Sequence, residues 1–328
     1  MKTRYAPSDY LYATARIRVL EATLVGDAKL SGLLALQSEQ ELIAALQAEG
    51  LLPREDMPDV EAALLSLLQE GVDAVKRSIP DETLTYIVTY PYDCHNIKAV
   101  LKCAYRSTDS ADLLIDAGSL SLPALTRAMA EGELSLLPPH MANAVPKARE
   151  AYAKTGDPRE IDLLLDRALF LDLGEAAAGL GLAERVIAAR ADLTNYIICL
   201  RLLRRSPSLA EPLFTRAFLP AGTLDEAFFR DAMAGGEAEL TSRMLKTPYA
   251  RVAEGAKDLS LSLLEKHADD YVMARVREAK YLPYGAEVPL AYLLALDASL
   301  KNIRILLAGK RAGLAADTLR LRVRESYV

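Results

Sequence analysis

Asp192-Leu-Thr-Asn195-Tyr-Ile-Ile-Cys-Leu-Arg201 has two relatives in the same chain: Asp93-Cys-His-Asn96-Ile-Lys98-Ala-Val-Leu-Lys102 and Ser299-Leu-Lys-Asn302-Ile-Arg304-Ile-Leu-Leu. Each sets a small polar residue three places before an asparagine, then runs on with apolar and basic residues at helical spacing. Arg16-Ile-Arg18-Val-Leu is a weaker relative near the start. A second element recurs downstream: Ala45-Leu-Gln-Ala-Glu-Gly50, Ala128-Met-Ala-Glu-Gly132 and Ala232-Met-Ala-Gly235-Gly236. From first motif to closing glycine the separations are 34, 36 and 40 residues, and the order is kept three times.

This recurrence predicts three helical units, residues 1–92, 93–191 and 192–298, followed by a terminal helical segment, 299–328. Motif starts stand 80, 99 and 107 residues apart, far beyond the period of tetratricopeptide or HEAT repeats. Three similar units suit a pseudo-threefold arrangement, with the fourth copy of the helix beside the first unit to close the ring. Elsewhere Ala, Leu, Glu and Arg dominate. Apolar residues recur at three- and four-residue spacing in 15–25, 59–75, 97–105, 161–173 and 303–314. Breaks fall at Leu52-Pro53, Pro138-Pro139, Gly156-Asp157-Pro158, Pro220-Ala-Gly222 and Pro283-Tyr-Gly285. Only 84–90, Leu-Thr-Tyr-Ile-Val-Thr-Tyr, has strand propensity; a lone strand forms no sheet, so it reads as an extended link or a poor helix. The fold class is all-α.

Composition narrows function. The chain has 328 residues, 26% charged and 51% hydrophobic, as a soluble globular protein has, and length enough for a sizeable core. Its 39 basic and 45 acidic residues give a net charge of −6, which argues against a broad nucleic-acid-binding face. Three cysteines (Cys94, Cys103, Cys199) and three histidines (His95, His140, His267) exclude a disulfide framework and supply few soft metal ligands. A reducing cytoplasm fits. The apolar run Val288–Leu296 stops well short of the roughly 18–20 residues that a bilayer requires. No apolar run follows the first basic residues, so no secretory signal is expected there.

No motif supports catalysis. Gly309-Lys310 resembles a phosphate loop, but Arg304 stands where the leading Gly belongs and Arg311 where Ser or Thr should hold magnesium. Gly179-Leu-Gly181 puts Glu184 at the third glycine of a dinucleotide turn, where a carboxylate would repel pyrophosphate. Cys94-His95 is adjacent rather than at ligand spacing, and the cysteines read as core filling. No cofactor or metal is expected.

Two readings of the repeated motif stand side by side. In one, Asp93, Asp192 and Ser299 cap helix starts, and the asparagines reach back as in a capping box. In the other, Asn96, Asn195 and Asn302 line a shared polar surface. The basic residues divide likewise. Lys98, Lys102, Arg201, Arg304 and Lys310 either pair with carboxylates such as Asp162 and Asp166, at about 0–1 kcal/mol each, or receive an acidic partner.

The closing stretch Tyr292-Leu-Leu-Ala-Leu-Asp297-Ala-Ser-Leu-Lys-Asn302-Ile-Arg304-Ile-Leu-Leu-Ala-Gly309-Lys310, with Tyr92-Asp93-Cys-His-Asn96-Ile-Lys98, Glu160-Ile-Asp162-Leu-Leu-Leu-Asp166-Arg167 and Tyr12-Ala-Thr-Ala-Arg16-Ile-Arg18, resembles the C subunit of the V/A-type ATPases and ATP synthases. That family is homologous to the d subunit of vacuolar ATPases. The matching segments run the length of the chain in the family's order, while Asp297 stands where a Glu is usual. The resemblance implies a funnel of three helical units joining the central stalk, made of the D and F subunits, to the proteolipid rotor ring. Such a part transmits torque between ATP chemistry and H⁺ or Na⁺ transport, and performs no chemistry itself. It would sit peripherally on the cytoplasmic face of a bacterial or archaeal cell membrane, touching the membrane only through the ring. Asn96, Lys98, Asn195, Arg201, Asn302, Arg304 and Lys310 are then the expected interaction residues. A helical-repeat scaffold unconnected with rotary ATPases is the alternative.

Overall fold

A computed structural model describes residues 5–55, 59–106, 108–254, 256 and 260–328. Among them the chain is helical, with no strand. The helices are α1 (Leu11–Glu21), α2 (Asp27–Ala35), α3 (Glu39–Ala48), α4 (Val60–Lys76), α5 (Thr83–Arg106), α6 (Leu122–Glu131), α7 (Pro139–Thr155) and α8 (Arg159–Ala177). They continue as α9 (Gly181–Arg205), α10 (Ala210–Ala217), α11 (Glu226–Ala234), α12 (Gly236–Met244), α13 (Ala250–Ala253), α14 (Leu261–Val276), α15 (Glu287–Arg311) and α16 (Ala316–Arg320). Contacts divide the chain into two compact units, residues 1–85 with 262–328, and residues 86–261. Among the described residues no helix is long and apolar enough to cross a membrane.

Helix ends follow local chemistry. Ser38, Asp59 and Asp225 accept from first-turn N–H groups of α3, α4 and α11. Behind α3, α6 and α11 stand Gly50, Gly132 and Gly236, each with φ between 73° and 79°. That left-handed step, open to glycine without steric cost, is why the second repeated element closes on glycine each time.

In the first unit α15 is the central helix, packed by α1, α3, α4 and α16, while α16 also meets α2. Leu64, Leu68 and Val75 of α4 and Leu293, Leu300 and Ile303 of α15 are almost wholly buried. Residues 299–328 do not form one terminal helix: α15 starts at Glu287, and the chain beyond α16 is not helical. That tail is tied down by side chains and by one backbone bond. Tyr327 Oη donates to Glu21 at 2.9 Å, Arg277 Nε to Ser326 O at 2.7 Å, and Asp27 N–H to Val328 O at 3.0 Å.

In the second unit α7 lies along α8, α8 meets α9, and α9 carries α10, α11 and α12. Phe214 is enclosed between Phe218 and Phe229, ring centroids 5.9 and 5.6 Å away, a spacing at which aromatic pairs attract edge-on. The strand-prone segment 84–90 is helical, the first turns of α5. Leu84, Ile87 and Val88 recur at three and four residues, and burying them on one face outweighs their intrinsic preference.

Candidate functional site

The repeated Asp-x-x-Asn motifs cap no helix. Asp93, Asp192 and Ser299 stand well inside α5, α9 and α15, far from any first-turn N–H group of those helices. The asparagines point sideways instead and hold a distant backbone residue by both of its polar groups. Asn96 Nδ2 donates to Ile115 O and its Oδ1 accepts from Ile115 N, both at 2.8 Å. Asn195 treats Leu219 in the same way at 2.8 and 2.9 Å, and Asn302 treats Arg324 at 3.0 and 2.9 Å. A primary amide carries a donor and an acceptor at the spacing of a peptide group. Carboxylates cannot donate and ammonium groups cannot accept, so the residue type follows from the task.

The aspartates complete the clamp in two of the three copies. Asp93 accepts from Ser119 N at 2.8 Å, Leu120 N at 3.3 Å and the Ser119 hydroxyl. Asp192 accepts from Thr223 N at 2.8 Å, Thr223 Oγ1 at 2.7 Å, Leu224 N at 3.0 Å and Tyr249 Oη at 2.7 Å. Both carboxylates are fully buried, and these donors replace the water they have lost. Gly118 and Gly222 precede the clamped loops, and a Cβ at either would come within 2.0 Å of the aspartate oxygen. The sequence signal is therefore a second repeat, Gly118-Ser119-Leu120 and Gly222-Thr223-Leu224, which the Asn motif alone does not reveal.

Asn96, Asn195 and Asn302 are at most 1% exposed, so the expected polar lining by these three residues does not form. Lys310 is also interior. Its ammonium group donates to Leu34 O at 2.9 Å and to Leu36 O, at the carboxyl end of α2, where a cation complements unpaired carbonyls. Gly309 beside it leaves room for Leu319, whose Cδ2 would lie 2.1 Å from a Cβ. The phosphate-loop lookalike is thus a packing device. The dinucleotide-turn lookalike is a helix start, in which Glu184 accepts from Gly179 N–H at 2.5 Å.

Lys98 and Lys102 reach across to α8 and pair with its carboxylates, one of the two arrangements expected of their charges. Lys98 Nζ lies 2.5 Å from Asp166 and 3.9 Å from Asp162, and Lys102 Nζ lies 2.6 Å from Asp162. Burial lowers the Lys98 ammonium, but Cys94, Asp166 and Asp162 together outweigh it and raise the group above its ordinary value. Arg304 grips Glu61 of α4 through Nε at 3.0 Å and Nη2 at 2.7 Å. Arg201 is exposed on α9.

His140, Asp172 and Glu175 come close enough to share a cation. Asp172 is already engaged: it accepts from His140 N, Met141 N and Tyr90 Oη at 2.9–3.0 Å, closing the start of α7. His140 Nε2 meets Glu175 at 2.8 Å. The cluster is explained as a helix-end bridge. The cysteines are buried, as expected of core filling. Burial pushes the Cys94 thiol up to about 12 and raises Cys199 as well, so neither is a thiolate at neutral pH.

One surface feature escaped the motif reading. Arg18 of α1 donates to the carbonyls of Ala279 and Leu282 at 2.8 and 2.9 Å, joining α1 to the segment before α15. On these two stretches Tyr12, Val19 and Tyr281 are 66%, 71% and 88% exposed. Single exposed apolar side chains are ordinary on a protein surface, but these are the three most exposed large ones among the described residues.

The sequence profile of the ATP synthase (C/AC39) subunit family matches residues 13–322. The chain is 26% identical over 275 residues to the C subunit of the V-type sodium ATPase of Enterococcus hirae, covering 82% of this chain and 83% of that protein. It is 24% identical over 323 residues to the C subunit of the A-type ATP synthase of Pyrococcus abyssi, covering 92% and 86%. With the corresponding A-type ATP synthase protein of Methanocaldococcus jannaschii it shares 24% identity over 340 residues, covering 95% and 85%.

Proposed function

The chain belongs to the ATP synthase (C/AC39) subunit family, and from that premise we propose that it is a non-catalytic part of the central rotor of a V/A-type ATPase. In this reading it links the D and F subunits of the stalk to the proteolipid ring, on the cytoplasmic face of the membrane. Torque passing through it couples ATP hydrolysis or synthesis to H⁺ or Na⁺ movement. Its three repeats would surround a pseudo-threefold axis as a funnel, with residues 1–92, 93–191 and 192–298 as the units and 299–328 closing the array.

The observation that carries the proposal is the repeated clamp. A part that transmits torque must not yield between its helices. In each clamp one long helix holds a backbone residue 19, 24 or 22 positions away by two hydrogen bonds. Docking would fall to side chains nearer the surface: the exposed Arg201, with Lys98 and Arg304 beside their carboxylate partners, for charge, and Tyr12 and Tyr281 for apolar contact. Asn96, Asn195, Asn302 and Lys310 would act indirectly, by fixing the backbone beneath such a surface.

Affinity purification of the tagged full-length chain from detergent-solubilised membranes tests the partners. Stalk and ring proteins should elute with it. Combined Lys98→Ala, Arg201→Ala and Arg304→Ala substitutions should reduce their recovery, and more so at high ionic strength, because exposed charge is screened over about 8–10 Å. Recovery of the chain alone, beside an intact ATPase lacking it, would refute the assignment to the rotor.

A further inference from the structure

The first unit contains a cavity of about 630 Å³ between the carboxyl ends of α1 and α3, the start of α2, and the facing stripes of α4 and α15. That volume is within the range of about 300–1,000 Å³ usual for small-molecule sites. Its walls are mostly apolar: Leu20, Leu24 and Leu51 on one side, Leu67, Leu296 and Ile303 on the other. Gly71 and Leu296 bring α4 and α15 together at one point, where a Cβ on the glycine would come within 2.3 Å of Leu296 Cδ2.

Two hydroxyls of α15 line this space. Tyr292 and Ser299 are only 4% and 5% exposed, and neither side chain has a hydrogen-bond partner among the described residues. Neither hydroxyl oxygen is sealed off from the cavity, so both are open to bond whatever fills it. Burial, then Glu70, raises the Tyr292 phenol, so it is a neutral donor. Two cations and two anions stand on exposed positions of the lining: Lys29, paired with Glu49 at 2.7 Å, Glu70 on α4, and Arg77 just beyond its end. The rim is charged in both senses and balanced.

We propose that this cavity binds a single-chain zwitterionic amphiphile of the monoacyl phospholipid class. The acyl chain lies along the apolar walls, the linkage oxygens meet Tyr292 and Ser299, and the headgroup faces the rim of Lys29, Glu49, Glu70 and Arg77. A headgroup with both signs can answer the cations Lys29 and Arg77 and the anions Glu49 and Glu70 together, whereas a simple carboxylate answers only the cations. Two otherwise unbonded hydroxyls below the rim match the ester and glycerol oxygens that join head to tail. The inference does not depend on the rotary assignment.

Calorimetric titration of the full-length chain with monoacyl phosphocholines of eight, ten and twelve carbons, each below its micellar concentration, tests it. We expect saturable one-to-one binding that tightens about fourfold per added methylene, from the usual transfer free energy of that group. Tyr292→Phe with Ser299→Ala should weaken binding about tenfold without lowering the melting temperature, because no protein hydrogen bond is lost. Ala74→Phe, which puts a ring into the cavity from α4, should remove binding; if that variant does not fold, the hydroxyl pair decides alone. A twelve-carbon carboxylate should bind more weakly than the phosphocholine of equal length. No saturable binding by the unaltered chain, binding unchanged in the hydroxyl variant, or tighter binding of the carboxylate would each overturn the proposal.

Discussion

At the scale of single residues, the decisive side chains are those that stand in for backbone. Asn195 presents its amide to Leu219 as a neighbouring strand would, in a place where no strand exists. Asn195→Ala leaves a buried N–H and a buried carbonyl without partners, each costing about 1–3 kcal/mol. We expect a loss of about 2–6 kcal/mol by urea denaturation, the sum of those two penalties. Asn195→Asp should do no better, since its second oxygen would face the Leu219 carbonyl. Unchanged denaturation midpoints in both variants would contradict the clamp. Asn302 holds a part-buried residue, Arg324, so the same change there should cost less. The motif was legible in the sequence, but its action was not. Asp-x-x-Asn before an apolar run reads as a helix start, and only the bounds of α5, α9 and α15 show that the helices began earlier.

At the scale of elements, α5 and α8 are joined by charge as well as by the buried bond from Tyr90 Oη to Asp172. Lys98 and Lys102 meet Asp162 and Asp166 on facing turns. A double-mutant cycle on Lys98→Ala and Asp166→Ala at pH 7 should give a coupling of about 1 kcal/mol, near the top of the range for part-exposed pairs. Because Lys98 is raised above its ordinary value on folding, its contribution is complete below the usual lysine range, near about 10.4, and is lost as pH rises through the higher folded value. A coupling indistinguishable from zero at pH 7 would mean that the pair only marks proximity.

Periodicity and punctuation made most helices legible, and the left-handed glycines after α3, α6 and α11 matched the second repeat. Segment 84–90 was not legible, because its β-branched and aromatic residues owe their helical state to burial of Leu84, Ile87 and Val88 in the folded chain. The interior position of Lys310 was hidden for a similar reason: its carbonyl partners, Leu34 and Leu36, lie 276 and 274 positions earlier.

At the scale of the whole molecule, this all-helical chain of the ATP synthase (C/AC39) subunit family turns its conspicuous motifs into internal fastening. Gly309-Lys310, Gly179-Leu-Gly181 and the three Asn motifs each hold helices or loops in place. A part built this way suits the mechanical coupling proposed for it. The most direct test compares ATP hydrolysis with ATP-driven H⁺ and Na⁺ uptake in inverted membrane vesicles from cells lacking this chain, with and without the purified protein added back. Hydrolysis by the soluble head should continue without the chain, ion uptake should fall to background, and adding the chain should restore uptake. Undiminished ATP-driven uptake in its absence would contradict the coupling role.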